Sequence, residues 1–306
     1  MLKNQALKFF KTFLLVLFFQ LGIHAQLHAS SVSYTIKTNI DSILNHEKPI
    51  NKSIIKLISW NIQDFGQTKD NSEIAIMANL LKDYDIIAIQ EVVAKHPAGA
   101  QKVAQLADEL NRKGAKWDYS ISNPTKSPSV YMSERYAFIF KTSKVQLLGK
   151  PFLDAEVAAQ MVREPFIAQF KAKSTQKTFT VVNFHSRKHN DHPELEIIHF
   201  KNYLKRFNTE CLLIAGDFNL NETHSVWNNL YKQGFASAVK NTKTTLKRKC
   251  SNGEYRNHSI DNIFYSNKIT LVNANAVDFV KSCQNLLTAR FISDHLPVFL
   301  SFSIQD

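Results

Sequence analysis

The chain has 306 residues, 44% of them hydrophobic, enough to bury a full core in one domain of about 250 residues. Its 8 glycines and 8 prolines argue against a long flexible linker. The net charge of +12 points towards polyanionic partners, since clustered positive charge concentrates anions, although a basic surface can also serve solubility alone.

The first element is not part of that domain. Lys3, Lys8 and Lys11 precede the apolar run Phe13–Phe19, and a small residue, Ala25, follows. This order reads as a secretory signal peptide over residues 1–25. The run is shorter than the ~20 residues of a spanning helix. Removing it takes away three lysines and no acid, leaving +9. Residues 26–53 read as a polar lead-in and 54–306 as a single domain, secreted or periplasmic. The chain is expected to act as a monomer with no stable membrane association.

From residue 54 the apolar pattern is regular. Ile54–Trp60 reads as a strand, Ser72–Asp83 as a helix capped by Ser72, and Ile86–Gln90 as a second buried strand. "AGAQKVAQLADELNRKG" reads as a helix with a basic end and a terminal glycine. Strands then dominate: "WDYSIS", "RYAFIF", "VQLL", "PFIAQFKA" and "FTVVNFH". Pro193–Phe207 reads as one helix. "CLLIAGDFN" is a strand that Gly216 should break, followed by a helix over residues 223–233. "SIDNIFYS", "ITLVNA" and "LPVFLSFSI" complete the strands. Helices set between apolar strands fit a layered α/β fold with mixed sheets.

Of the three cysteines, Cys211 reads as an inert core thiol. Cys250 and Cys283 lie in polar segments and are candidates to pair in an oxidising compartment. Trp60, Trp117 and Trp227 read as core packing. His189, His192, His199, His224 and His258 read as surface residues.

Unusual polar residues collect where the buried runs end. Asn61 follows "ISW", Glu91 follows "IIAIQ", His185 follows "VVNF", and Asp217 and Asn219 follow "LLIAG". Asp294 and His295 precede the last strand, and Asp261 lies just inside "SIDNIFY". Singly, each is an ordinary cap or turn, and Asp217-x-Asn219 alone reads equally well as an Asx turn. Together they mark a place where ligands gather. There is no Ser or Cys nucleophile elbow and no Gly-rich phosphate loop. Carboxylate and amide oxygens suit a hard cation such as Mg²⁺, and histidines beside carboxylates suit proton transfer. The set points to metal-assisted hydrolysis of a phosphate ester by water.

The segments "WNIQDFG", "IIAIQEV", "SERYAFIF", "REPFIAQF", "GDFN", "SIDNIFY" and "ISDHLPV" resemble, in this order, the motifs of the endonuclease/exonuclease/phosphatase superfamily, and most nearly its deoxyribonuclease I-like branch. The resemblance spans about residues 55–302. It implies a four-layered α/β-sandwich, two packed mixed sheets flanked by helices, and cleavage of phosphodiesters in nucleic acid. It implies Mg²⁺ as cofactor, with Mn²⁺ as a substitute and Ca²⁺ as a further candidate. Asn61, Glu91 and Asp294 match its metal positions. His185 and His295 match the catalytic histidines, with Glu134 and Asp261 as the acids that orient them. Asp217 matches the acid that positions the water, Asn219 the amide on the scissile phosphate, and Arg163 an arginine on the substrate's phosphate side.

The chain departs from that pattern around the substrate grip. Val93 stands where relatives often carry arginine, Met132 where they carry tyrosine, with Tyr131 one step away, and a small disulfide-closed loop is missing from 150–162. The basic segment 242–258, with Lys243, Lys247, Arg248, Lys249 and Arg256, reads either as a phosphate-gripping loop or as a solvated one. The leading expectation is a DNA endonuclease, with RNA as a further substrate. A phospholipid headgroup, as in secreted sphingomyelinases, is the competing substrate, and a non-catalytic binding module is the reading from another class.

Overall fold

The computed structural model describes residues 53–305; the expected signal peptide and residues 26–52 of the lead-in lie outside them. In chain order the strands are β1 (Ile55–Phe65), β2 (Ile86–Val93), β3 (Trp117–Ile121), β4 (Glu134–Lys141), β5 (Val145–Leu153), β6 (Phe166–Ala172) and β7 (Thr178–His185). They continue as β8 (Leu212–Asp217), β9 (Ala236–Ser237), β10 (Leu246–Ser251), β11 (Glu254–Arg256), β12 (Asp261–Tyr265), β13 (Ile269–Ala276) and β14 (Val298–Ile304). One sheet runs β13-β14-β1-β2-β4-β3 and the other β5-β6-β7-β8-β12-β9. Both are mixed: β1–β2 and β7–β8 pair in parallel and the other neighbours antiparallel. β10 and β11 form a separate hairpin.

The inner faces of the two sheets bury one core that includes Phe138, Phe166, Phe170, Phe179, Leu213 and Phe302. The outer face of the first sheet is covered by α1 (Asn71–Leu81) and α2 (Ala98–Asn111), whose Met77, Leu81, Val103 and Leu106 pack on Ile58, Ile87 and Ile139. The outer face of the second is covered by Ile197, Phe200, Tyr203, Trp227 and Leu230 on Val182, Ile214 and Phe264. Strands buried on both sides explain the unbroken apolar runs. The result is the expected four-layered α/β-sandwich. Trp60, Trp117 and Trp227 are buried in it.

Three local expectations change. The N-cap of α1 is Asp70, not Ser72. Asp70 and Glu73 form a reciprocal capping box, and the Ser72 hydroxyl donates to the Asp70 carboxylate at 2.7 Å. The single helix over 193–207 is instead α3 (Glu194–Ile197), a 3₁₀ stretch Ile198–Asn202 and α4 (Tyr203–Arg206). Its two ends are held by different loops. Buried Glu196 accepts from the Val162 and Arg187 amides, while Tyr203 and Arg206 donate to Asp154. The 3₁₀ winding, at about 2.0 Å per residue against 1.5, lets the segment reach both.

Gly216 does not end its strand. It is paired on both sides inside β8, with Phe184 and Asn262. Its φ is 152°, and a Cβ there would lie 1.7 Å from the Phe184 carbonyl oxygen. Glycine is needed because two backbones approach closely, and the strand therefore carries Asp217 as its last paired residue.

Candidate active site

Strand register assembles the site. His185, Asp217 and Asp261 are direct neighbours across β7, β8 and β12. On the other sheet Asn61 pairs with Gln90, the residue before Glu91, and Val93 pairs with Glu134. β2 is bulged between Ile89 and Val92, and Glu91 takes a left-handed φ of 59°. Bulges and backbone of this kind re-aim side chains at the edge of a site.

The Asp217 carboxylate is the centre. Its Oδ2 lies 3.5 Å from His185 Nε2 and 3.8 Å from His295 Nε2, and accepts from Asn61 Nδ2 at 3.1 Å. Its Oδ1 accepts from the Asn219 amide at 2.9 Å, and Asn219 sits at a left-handed φ of 50°. One oxygen closes the Asx turn, and the other faces the imidazoles.

Each histidine has its own acid. His185 Nδ1 meets Glu134 at 2.9 Å, and His295 Nδ1 meets Asp261 at 2.9 Å. Such a pair fixes the tautomer and turns Nε2 inward. Both acids are tied in turn. Glu134 is held by Arg163 Nε at 3.0 Å, and Asp261 accepts from the Thr244 hydroxyl at 2.6 Å. Arg163 also donates to the Met132 and Ser186 carbonyls, so it buttresses Glu134.

The electrostatics follow from burial and pairing. Burial alone would raise the Glu134 carboxyl, but His185 and Arg163 outweigh it and hold it below the usual range. Burial opposes charge on His185, yet Glu134 and Asp217 outweigh burial, so the imidazole is raised above 6.5. Burial likewise opposes charge on His295, and Asp261 and Asp217 overcome it to raise that imidazole too. Burial and the Asp217 charge raise Asp261 despite His295. For His185, with its folded pKa above the ordinary 6.5, the stability contribution is complete below about pH 6.5 and is lost as pH rises through the folded value. In metal-free protein, Glu134→Gln is therefore expected to lower the His185 pKa, read by NMR titration. An unchanged or higher value would disprove Glu134 as the source of the shift.

One buried amide oxygen beside Glu91 is left without a partner. Asn61 Oδ1 is buried and has no hydrogen-bond partner among the described residues, while Asn61 Nδ2 donates to Glu91 at 3.0 Å. A hard oxygen left unpaired beside a carboxylate fits a divalent cation. Asp294 is partly exposed, with Arg290 Nη2 at 3.8 Å from its carboxylate. Asp217, Asp261 and His295 also place three ligating atoms within 4.8 Å of one another. Two of those groups are already paired with each other, so we read that trio as proton-handling chemistry.

Two cavities open beside these residues. One of about 640 Å³ is lined by Asn219, Asn221, Asn257 and His258 among others. One of about 210 Å³ is lined by Glu91, Glu134, Arg163 and the exposed Tyr131. The structure thus gathers Asn61, Glu91, Glu134, His185, Asp217, Asp261 and His295, with Asn219 adjoining.

Sequence reasoning missed several supports. Thr244 holds Asp261. Ser293 donates to the Asn61 carbonyl at 2.7 Å and accepts from the His295 amide. Lys69 is buried and donates to the Phe291 carbonyl at 2.7 Å, in the field of Glu73, Asp64, Asp294 and Glu91. Only the Asp-x-x-Glu box beside Lys69 carried a signal.

Fold and site together define a class: two mixed sheets sandwiched between helices, with paired acid–imidazole groups and an amide–carboxylate pocket at the strand ends. A model of the endonuclease/exonuclease/phosphatase family matches residues 58–295, and the chain belongs to that family. Bovine deoxyribonuclease-1 (Bos taurus) is 29% identical over 189 residues, 58% of this chain and 65% of that protein. The chain thus spans just under two thirds of that relative's length. Deoxyribonuclease-1-like 1 of Sus scrofa is 28% identical over 265 residues, 81% of each. These relatives place the resemblance in the deoxyribonuclease I-like branch. A crystal structure of an endonuclease/exonuclease/phosphatase from Bacteroides vulgatus superposes with a TM-score of 0.62 at 17% identity, covering 83% of this chain and 100% of that one.

Proposed function

We propose that the chain is a divalent-metal-dependent phosphodiester hydrolase that cuts DNA endonucleolytically, using water as the nucleophile. The observation that carries this reading is the Asp217 carboxylate set between two carboxylate-backed imidazoles. Asp217 Oδ2 is the base and anchor for the attacking water. Of His185 and His295, one protonates the leaving oxygen and the other stabilises the charged phosphorane. Asn219 holds the scissile phosphate. Asn61, Glu91 and Asp294 would hold the cation, expected to be Mg²⁺, which would supply Lewis-acid stabilisation of phosphate charge.

The basic composition and relatives named deoxyribonucleases support DNA as substrate. The leader-like N-terminus and the Cys250–Cys283 disulfide support a secreted or periplasmic location. The remaining cysteine, Cys211, is half-buried and its thiol is pushed up by burial, in keeping with an inert role.

The test is a substrate panel at fixed Mg²⁺: supercoiled plasmid, single-stranded DNA, RNA and sphingomyelin vesicles. Plasmid nicking ahead of lipid turnover is expected. Lipid turnover without nicking would replace the proposed substrate with a phospholipid headgroup.

A further inference from the structure

The segment read as a basic loop is a mounted hairpin. Asn252 and Gly253 have φ of 53° and 75°, the left-handed pair that a two-residue turn between β10 and β11 requires. A two-stranded ribbon is marginal by itself. Here Leu246 and Tyr255 pack on Val280, Leu286, Ala289 and Leu296. Cys250 is bonded to Cys283, Tyr255 donates to Asp278, and Arg290 Nη1 donates to the Leu246 carbonyl at 2.9 Å. Its base is joined to the site. The Leu246 amide donates to the Asp294 carbonyl at 2.7 Å, and Thr245 forms a β-bridge with His295.

The charges on this mount are unbalanced. Glu254 is the single acid between residues 243 and 256, and it is shared by Lys243 at 3.8 Å and Arg256 at 3.4 Å. Lys247, Arg248 and Lys249 form no ion pair with any described residue, and Arg248 and Lys249 are exposed. The tip, Ser251-Asn252-Gly253, offers no apolar side chain to a membrane.

We propose that the β10–β11 hairpin is a clamp for the sugar-phosphate backbone of nucleic acid, contacting phosphates away from the one that is cut. This rests on the nuclease reading above and deepens it. Three cations without an acidic partner, on a hairpin fixed to the His295 and Asp294 segment, would give long substrates a second hold in a constant relation to the site. Such contacts position a duplex without reading its bases.

The test compares wild type with R248A/K249A by anisotropy on a 30-base-pair duplex, in EDTA so that nothing is cut, across 50 to 200 mM salt. Every phosphate that the protein no longer neutralises should flatten the slope of log K against log salt by about 0.9, so the double variant should flatten it by roughly 2. In Mg²⁺, its KM for long DNA should rise while turnover of bis(p-nitrophenyl) phosphate, too small to reach the hairpin, stays at the wild-type rate. R248K/K249R should restore the slope. An unchanged slope and KM in a variant that still turns over the small diester would overturn the clamp. So would a loss confined to phosphatidylserine vesicles, an arm warranted by exposed Leu287 and Phe291 on the neighbouring helix. If the wild type cuts no phosphodiester, the nuclease reading fails, and the EDTA binding slope still decides the clamp.

Discussion

Asp217→Asn is expected to lower the rate of DNA cleavage by ~10²–10⁴, the usual worth of a positioned acid or base. The change is nearly isosteric and keeps an oxygen for the Asn219 amide at 2.9 Å, so the Asx turn and the strand should survive. What disappears is the charge shared by both imidazoles and by the Asn61 amide. Water loses its base, and His185 and His295 lose one of the charges that raise their pKa. The effect should fall on kcat, measured under saturating DNA, with the circular dichroism spectrum unchanged. Near-wild-type kcat would remove Asp217 from the chemistry.

His185→Ala and His295→Ala are each expected to cost ~10²–10⁴ in kcat. The double variant should lose much less than the product of the two. Both act through the same phosphate and face the same carboxylate, and groups that act as a unit are not additive. His185 ends β7, with its amide donating to the Tyr136 hydroxyl at 3.2 Å. His295 belongs to the segment joined to Thr245 and Leu246. Those links are backbone bonds that neither substitution removes, so both variants should keep the hairpin in place. Full additivity would separate the histidines into independent roles.

The layers and the strand ends were legible because doubly buried strands write long apolar runs, and polar residues that interrupt them at the ends stand out. Asn61, Glu91, His185, Asp217, Asp261 and His295, all named from those ends, converge in the structure. The rest was hidden for particular reasons. Ile197, Phe200 and Tyr203 keep helical spacing, so nothing local marks the 3₁₀ break that Glu196 and Asp154 impose through loops outside the segment. Gly216 looks like punctuation, while its cause, the Phe184 backbone, is thirty-two residues away. The hairpin did carry an Asn-Gly signal, but its flanks are charged rather than alternating, and it masqueraded as a loop. Thr244 and Ser293 serve the site through Asp261 and Asn61, residues distant from them in sequence. The Cys250–Cys283 bond depends on the packing of the hairpin against α6 (Leu286–Ile292), following α5 (Asn228–Lys232) in the chain, which spacing does not reveal.

If one cation-assisted, water-activating site on these residues breaks the DNA backbone, the purified chain should nick supercoiled plasmid only while the cation is available. Nicking is measured in Mg²⁺, then in excess EDTA, then with Mg²⁺ restored. Nicking that stops with EDTA and returns with Mg²⁺ is the expected result. Nicking that continues undiminished in EDTA, or none in Mg²⁺, Mn²⁺ or Ca²⁺, would show that these residues do not form such a site.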